Sequence, residues 1–286
     1  MSSIQISAIE KAANEVNTQG YSFPLQLVDQ HNVAELTNLL EGYGSGRKPM
    51  TSLQKRNPHI LFQPFWDVVS HPNVLKIVDH ILGPDAICFA TSIIDKPADK
   101  TSHVAWHQDA TYWGLGGRRA ITIWLALTPS TAENGAVQVV PGRHNKLLDH
   151  ETCRTAANML GLNEVLSVSP DETRTVTMTL RPGEASVHDS LTVHGSDRNR
   201  SALNRVGFSM RFVSSAEHET GAMLGDLICS PVTGVDNTLA AHASAPDNQT
   251  PEQAKACHQE SVRRLGKHLM QSKQTYHLTR TAETTW

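Results

Sequence analysis

The chain has 286 residues, of which 39% are hydrophobic and 19% are charged, and its formal net charge is −3. This composition is typical of an ordinary globular protein, and the total charge gives no indication of a nucleic-acid-binding surface. No run of about 18 apolar residues predicts a transmembrane helix, and the opening MSSIQISAIEKAANE lacks the basic and apolar segments of a secretory signal. The four cysteines are scattered and form no CxxC pair, which indicates free thiols in a reducing compartment. We therefore expect a cytoplasmic protein.

The first part of the chain is predicted to be mainly helical. Apolar residues at helical spacing predict a first helix over residues 6–17, and YSFPLQLV follows as a short strand. Asp29 or Asn32 can cap a second helix. The glycine-rich stretch EGYGSGRKP is expected to be a loop. Residues 71–82 predict a third helix, with a proline in its first turn and a glycine at its end.

The middle of the chain predicts β structure instead. Short runs of β-forming residues alternate with turns rich in Pro, Gly, Asn and Asp. These runs are residues 86–95, 120–128, 136–140, 175–180, 185–188 and 205–213. Residues 147–165 and 251–275 are expected to be helical. Many short strands of this kind indicate a jelly roll, so we predict an α+β fold with one β core.

No internal repeat and no low-complexity linker divides the sequence. We therefore predict a single domain over residues 1–286. It would consist of a helical flank at about 1–84, a jelly-roll core at about 85–215, and a C-terminal loop and helix at about 216–286.

A candidate metal site follows from the segment Trp-His-Gln-Asp. Residues i and i+2 of an extended segment point to the same side, so His107 and Asp109 can bind one ion together. His194, in SVHDSLTVHGS, is the best candidate for a third ligand. Two histidines and one carboxylate leave three coordination positions open, which is the ligand set of non-haem iron(II) oxygenases. The alternative is that His107 is a turn residue bonded to Asp109 and that His194 is structural.

An arginine follows the third candidate ligand at the start of a predicted strand. Arg205 lies eleven residues after His194, and its planar fork can bind a carboxylate at two points. The alternative is a surface arginine paired with a neighbouring acid. Arg211 lies six residues further along the same strand, so both should face one side, and Arg211 competes with Arg205 for such a carboxylate.

Three segments of the sequence resemble a known family. WHQDATYW, ITIWLALTPSTAENGAVQVVPGRH and VHGSDRNRSALNRVGFSMRFV, within roughly residues 85–215, are similar to the phytanoyl-CoA dioxygenase (PhyH) family. The resemblance implies a double-stranded β-helix, which is a jelly-roll core flanked by helices. It also implies the use of iron(II), 2-oxoglutarate and O2.

The same resemblance implies roles for individual residues. The implied iron ligands are His107, Asp109 and His194, and the implied contacts to 2-oxoglutarate are Arg205, Ser196 and Trp124. Substrate contacts are expected from their positions along the chain at Phe89, Tyr112, Trp113 and Arg211, with core packing as the alternative for Tyr112 and Trp113.

Hydroxylation of an unactivated C–H bond, with release of succinate and CO2, is the expected reaction. Desaturation, cyclisation and epimerisation use the same cofactors and stay open. Related halogenases carry a small residue where this chain has Asp109, so halogenation is disfavoured. The alternatives from other classes are a metal-dependent hydrolase or isomerase on a cupin-like barrel and a non-catalytic metal-binding jelly roll.

The expected partner is a small-molecule substrate, either free or linked to coenzyme A or a carrier. Neither a nucleic-acid partner nor a membrane partner is expected. The sequence leaves open whether the chain forms a homo-oligomer.

Overall fold

The computed structural model describes residues 6–42, 48–113, 119–168, 170–214, 226–232 and 241–283. Its α-helices in these ranges are α1 (Ile6–Gln19), α2 (Gln30–Glu41), α3 (Gln63–Val69), α4 (Pro72–Leu82), α5 (Ala110–Trp113) and α6 (Pro251–Glu283). No helix among the described residues combines the length and the apolar character that a membrane crossing requires.

The strands form two main sheets and a small hairpin. They are β1 (Tyr21–Gln26), β2 (Ala86–Lys96), β3 (Val104–His107), β4 (Ala120–Ala126), β5 (Val137–Val139), β6 (His150–Thr152), β7 (Glu164–Leu166), β8 (Val176–Thr177), β9 (Glu184–Asp189), β10 (His194–Ser196), β11 (Arg205–Ser214), β12 (Ile228–Pro231) and β13 (Ala241–His242). The seven-stranded sheet has the order β1-β9-β4-β11-β2-β12-β13, and the four-stranded sheet has the order β3-β10-β5-β8. Strands β6 and β7 pair with each other.

The two faces of the seven-stranded sheet have different surroundings, and β11 shows the difference most clearly. Phe208, Met210 and Phe212 are fully buried in the main core, together with apolar residues of α1, α2, α3 and α4. Arg205, Ser209 and Arg211, which alternate with them along the strand, line a cavity on the other side. Side chains alternate between the faces of a strand, so RVGFSMRF supplies both an apolar layer and a polar lining. Each fully buried aromatic of this kind contributes about 1.5–3 kcal/mol to folding.

Local sequence signals position the helices that cover this sheet. The Asp29 side chain accepts a hydrogen bond from the backbone N–H of Asn32, so Asp29 is the N-cap of α2. Helix α2 ends at Gly42, whose φ of 74° is the left-handed conformation that glycine adopts readily. Pro72 is the first residue of α4, and Gly83 follows its last residue. The predicted N-terminal helices and the predicted strands are confirmed, with shifts at their ends.

The helix predicted over residues 147–165 is wrong. The segment contains the hairpin of β6 and β7, in which His150 pairs with Leu166. Asn163 has a positive φ of 60°, which a helix does not allow. The buried carboxylate of Glu164 accepts hydrogen bonds from Thr152 and lies 2.6 Å from the Lys273 ammonium. The pairing of β6 with β7 and the contact with Lys273, which lies outside the segment, outweigh its helical spacing of apolar residues.

The architecture agrees with the predicted class. The cavity lies between the two main sheets, because its lining includes β3, β5 and β10 on one side and β2, β4, β9 and β11 on the other. Helices cover the outer face of the larger sheet. The fold is therefore α+β with a jelly-roll core and flanking helices, as predicted.

Candidate metal and co-substrate site

The three predicted metal ligands meet at one end of the cavity. His107 is the last residue of β3, and it pairs directly with His194 of β10. Asp109 follows two residues later, and its Oδ1 lies 3.6 Å from His107 Nε2. One ligand atom from each of the three buried side chains lies within 4.8 Å of the other two. A single ion can therefore contact all three.

The backbone fixes which nitrogen of each histidine is basic. His107 Nδ1 bonds to the carbonyl of Ala105 and His194 Nδ1 bonds to the carbonyl of Thr192, each at 2.9 Å. A carbonyl only accepts, so Nδ1 carries the proton and the lone pair of each ring is on Nε2. Burial, together with the nearby rings of His107 and His188, holds the pKa of His194 well below its ordinary value. The neutral imidazole is the form that binds metals.

Asp109 receives support from the larger sheet. The Thr122 hydroxyl donates to Asp109 Oδ2 at 2.9 Å, and His188 Nε2 lies 3.7 Å from the same oxygen. Burial alone would raise the pKa of Asp109, but the rings of His107 and His188 hold it well below its ordinary value. Asp109 is therefore a carboxylate at neutral pH.

Gln108 holds the metal-binding segment in place between its two ligands. Its side-chain amide donates to the carbonyls of Lys146 and Leu191, and its side-chain oxygen accepts from the backbone N–H of Leu148. Its own backbone N–H donates to His150 Nε2. A fully buried side chain with three partners leaves little freedom to the segment, so the ligand geometry is preorganised.

Arg205 lies further along the cavity, and in the part of the chain that the structure describes it has no counter-charge. It is 1% exposed, and neither its Nε nor its Nη1 has a hydrogen-bond partner among the described residues. Its guanidinium carbon lies 5.0 Å from the centre of a Trp124 ring. Burial lowers the pKa of Arg205 to about 10, so it is charged at neutral pH. A buried, unpaired cation is costly, so an anionic ligand fits here.

Ser196 joins Arg205 through a lysine of β2. The Lys96 ammonium donates to Ser196 Oγ at 2.6 Å and also to the carbonyls of Ser196 and Asp197. Burial and the neighbouring charge of Arg205 lower the pKa of Lys96 to about 7. In its ammonium form Lys96 only donates, so the Ser196 hydroxyl then accepts and directs its own proton elsewhere. Ser196 and Arg205 both line the cavity, so this proton is available to a ligand beside Arg205.

The predicted substrate residues lie on the opposite side of the triad. The cavity measures about 920 Å³, and Phe89, Trp113 and Arg211 line it. The rings of Phe89 and Trp113 pack edge to face at 5.1 Å. The Tyr112 side chain lies outside the described residues.

One wall of the cavity comes from an unexpected element. Ser52, Lys55 and Arg56, in the segment between α2 and α3, line part of the cavity. Helix α6 provides a wall through Val262, Leu265, Gly266, Leu269 and Met270.

The residues present fit a divalent metal and a dicarboxylate. The metal end offers two imidazoles and one carboxylate with open sides, which suits ferrous iron. The unpaired guanidinium of Arg205 fits the far carboxylate of a chelating acid.

Two residues around this site, Thr122 and His188, and the contact of Lys96 with Ser196 were not predicted from the sequence. His188 is 3% exposed, and neither ring nitrogen has a hydrogen-bond partner among the described residues. The sequence feature that could have pointed to His188 is its position six residues before the predicted metal ligand His194. Only the pairing of β4 with β9 shows that Thr122 and His188 lie side by side.

Comparison with known proteins identifies the family. The family model of phytanoyl-CoA dioxygenase (PhyH) matches residues 51–207, which is more than half of the chain, so this chain belongs to that family. The resemblance found in the sequence is confirmed.

Two relatives match part of this chain at low sequence identity. A probable alpha-ketoglutarate-dependent hypophosphite dioxygenase of Stutzerimonas stutzeri is 28% identical over 163 residues, which cover 54% of this chain and 55% of the relative. The peroxisomal phytanoyl-CoA dioxygenase of Rattus norvegicus is 26% identical over 182 residues, which cover 61% of this chain and 52% of the relative. The chain thus aligns with about half the length of these relatives.

Solved structures match over more of the chain. A non-heme monooxygenase, ThoJ in its apo form, has a TM-score of 0.77 and 25% identity, and the match covers 92% of this chain and 99% of the other. The alpha-ketoglutarate-dependent epimerase SnoN from nogalamycin biosynthesis has a TM-score of 0.60 at 22% identity, covering 85% of this chain and 97% of the other. The second likeness concerns the fold alone.

Proposed function

We propose that this chain is an iron(II)- and 2-oxoglutarate-dependent dioxygenase that hydroxylates an unactivated C–H bond of a small molecule and releases succinate and CO2. The observation that carries the proposal is the unpaired, buried guanidinium of Arg205 in the same cavity as the His107, Asp109 and His194 donors. A non-catalytic metal protein would need no buried cation there. Membership of the family and the alpha-ketoglutarate named for one relative support it.

Different side chains would have different roles in this reaction. His107, Asp109 and His194 would hold iron(II), which when bound supplies activation of O2 coupled to oxidative decarboxylation of 2-oxoglutarate. Arg205 and the Ser196 hydroxyl would bind the far carboxylate, with Trp124 beneath the guanidinium. The apolar wall of Phe89 and Trp113 would exclude water and orient the substrate. No side chain is required to act as a strong acid or base.

The assay is 2-oxoglutarate turnover. Purified chain reconstituted with iron(II), ascorbate and 2-oxoglutarate should form succinate, and without O2 it should show the visible absorption band of chelated 2-oxoglutarate. Asp109→Ala should lose both signals, whereas Asp247→Ala, which removes an exposed carboxylate, should keep them. Absence of both signals in the wild type would refute the oxygenase proposal. The chelate band without succinate in any substrate pool would instead indicate a binding protein.

Other outcomes of the same chemistry are separated by product analysis. A hydroxylated product carries one atom of ¹⁸O from labelled O2, whereas desaturation, cyclisation and epimerisation products carry none. Halogenation is disfavoured because Asp109 occupies the position that a halide would take.

We further propose that residues 1–286 work as one domain, because α6 lines the same cavity as the barrel strands.

A further inference from the structure

Arg211 is the second arginine of β11, and it reaches the other end of the cavity. It lies six residues from Arg205 on the same face of the strand, which places their Cα atoms about 20 Å apart at a rise of 3.3 Å per residue. Across the sheet Arg211 pairs with Thr122, which pairs with His188. The side chains of Thr122 and His188 contact Asp109, so Arg211 lies at the level of the metal-binding triad and Arg205 lies further along the strand.

The Arg211 guanidinium has few partners of its own. Its Nη1 donates to Ser92 Oγ at 2.9 Å, and its central carbon lies 5.9 Å from the centre of a Trp113 ring. Within the described part of the chain it forms no ion pair. Burial lowers the pKa of Arg211, and Asp109 is the carboxylate that opposes this effect most. Arg211 is thus a partly buried cation whose counter-charge is incomplete among the described residues.

Asp109 does not supply that counter-charge once the site is loaded. If the proposed function holds, iron(II), Asp109, doubly charged 2-oxoglutarate and Arg205 together carry no net charge. The positive charge of Arg211 then remains without compensation in a site of low polarity, which is unfavourable without an anion. Besides the two arginines of β11, the lysine and arginine side chains that line the cavity are Lys55, which is paired with Asp95 at 2.7 Å, and Arg56, which is exposed.

The surfaces around Arg211 are apolar. Phe89 and Trp113 belong to a hydrophobic cluster with residues of the loop after β6 and of α6. The other members of this cluster that line the cavity are Leu160, Leu162, Leu265 and Leu269. Such walls favour hydrocarbon at about 25 cal/mol per Å² of apolar surface removed from water.

We propose that Arg211 binds a carboxylate of the primary substrate, and that the rest of this substrate is mainly apolar. Two-point binding by the guanidinium would fix the carboxylate, and the cluster around Phe89 and Trp113 would bury the hydrocarbon part. The C–H bond presented to the metal would then lie between these two anchors. The inference rests on the proposed function for the charge balance, and it adds the class of the substrate.

The test compares acids with their neutral amides. Octanoate, dodecanoate and 4-phenylbutyrate would each be titrated against the corresponding primary amide, using tryptophan fluorescence and calorimetry. The protein is loaded with iron(II) and kept without O2, with and without saturating 2-oxoglutarate. We expect at least one acid to bind about 10-fold or more tightly than its amide, because hydrogen bonds to charged groups contribute about 1.5–3 kcal/mol. The preference should persist when 2-oxoglutarate fills the Arg205 end.

Three variants locate the preference. Arg211→Met should bind acid and amide alike, Arg211→Lys should keep part of the preference, and Arg205→Met should keep it. If the wild type prefers no acid to its amide, or if the preference is lost in Arg205→Met but retained in Arg211→Met, the inference is overturned. Succinate formation is scored separately, so an acid preference without 2-oxoglutarate turnover would refute the oxygenase proposal and leave the role of Arg211 standing.

Discussion

The two main sheets contribute to the site in different ways. The four-stranded sheet and the segment after β3 carry the three metal donors, which lie within 4.8 Å of one another. The seven-stranded sheet carries Arg205, Arg211 and Thr122, which surround the donors with hydrogen bonds and positive charge. One sheet thus sets the position of the ion, and the other sets the electrostatic environment of whatever binds beside it.

The largest effect is expected from removing a donor of the four-stranded sheet. His194→Ala should lower iron(II) affinity by more than about 100-fold, since loss of an outer partner of a metal ligand already costs 10- to 100-fold, and succinate formation should disappear. Metal content after dialysis measures the loss. His80→Ala, on an exposed part of α4, is the control. Unchanged metal content in His194→Ala would remove this residue from the ligand set.

Arg205→Met tests the proposed contribution of the seven-stranded sheet to 2-oxoglutarate binding. It should raise the KM for 2-oxoglutarate by at least about 30-fold, because breaking a buried charged pair costs about 2 kcal/mol or more. Metal content should stay at the wild-type level, which separates the two sheets. Arg205→Lys should lose less, since it keeps the charge without the fork. An unchanged KM in Arg205→Met would contradict the assignment of this end of the cavity.

Gly207→Ala tests the packing beneath Arg205. A Cβ at this position would come within 2.1 Å of the Trp124 ring, so the indole must move. We expect the free energy of unfolding to fall by about 1–3 kcal/mol, measured by urea denaturation. Gly266→Ala in α6 is the control, because nothing lies within 4 Å of its added Cβ and alanine favours a helix. Equal stabilities of the two variants would show that Trp124 adapts freely.

The smallest effect is expected from Lys96→Met. Lys96 acts through Ser196 as a positioning residue, so its loss should raise the KM for 2-oxoglutarate by about fivefold and leave kcat nearly unchanged. If it acts only through that hydroxyl, the double variant with Ser196→Ala should have the same KM as Ser196→Ala alone. Additive effects of the two substitutions would refute this route and indicate a direct or structural role.

Features that depend on residue spacing within one strand or helix could be predicted from the sequence. The alternation in RVGFSMRF predicts that Arg205 and Arg211 share a face, and both line the cavity. The HxD spacing places His107 and Asp109 on one side of the chain. These predictions depend only on the repeat of the backbone.

Features that depend on contacts between distant segments could not be predicted from the sequence. The pairing of His107 with His194 and the contact of His188 with Asp109 follow from strand register. The bond from Lys96 to Ser196 joins residues 100 positions apart. The hairpin within 147–165 is stabilised by partners such as Lys273, far along the sequence.

Helix α6 forms one wall of the cavity. His268 contacts the carbonyl of Trp113, and Lys273 contacts Glu164 and the carbonyl of Leu162, so a few polar contacts join the helix to the barrel. The PhyH family model matches residues 51–207, and Arg211 and α6 both lie after that segment. Substitutions after residue 207 can therefore change the substrate while the metal ligands stay the same, so specificity and reactivity can evolve separately.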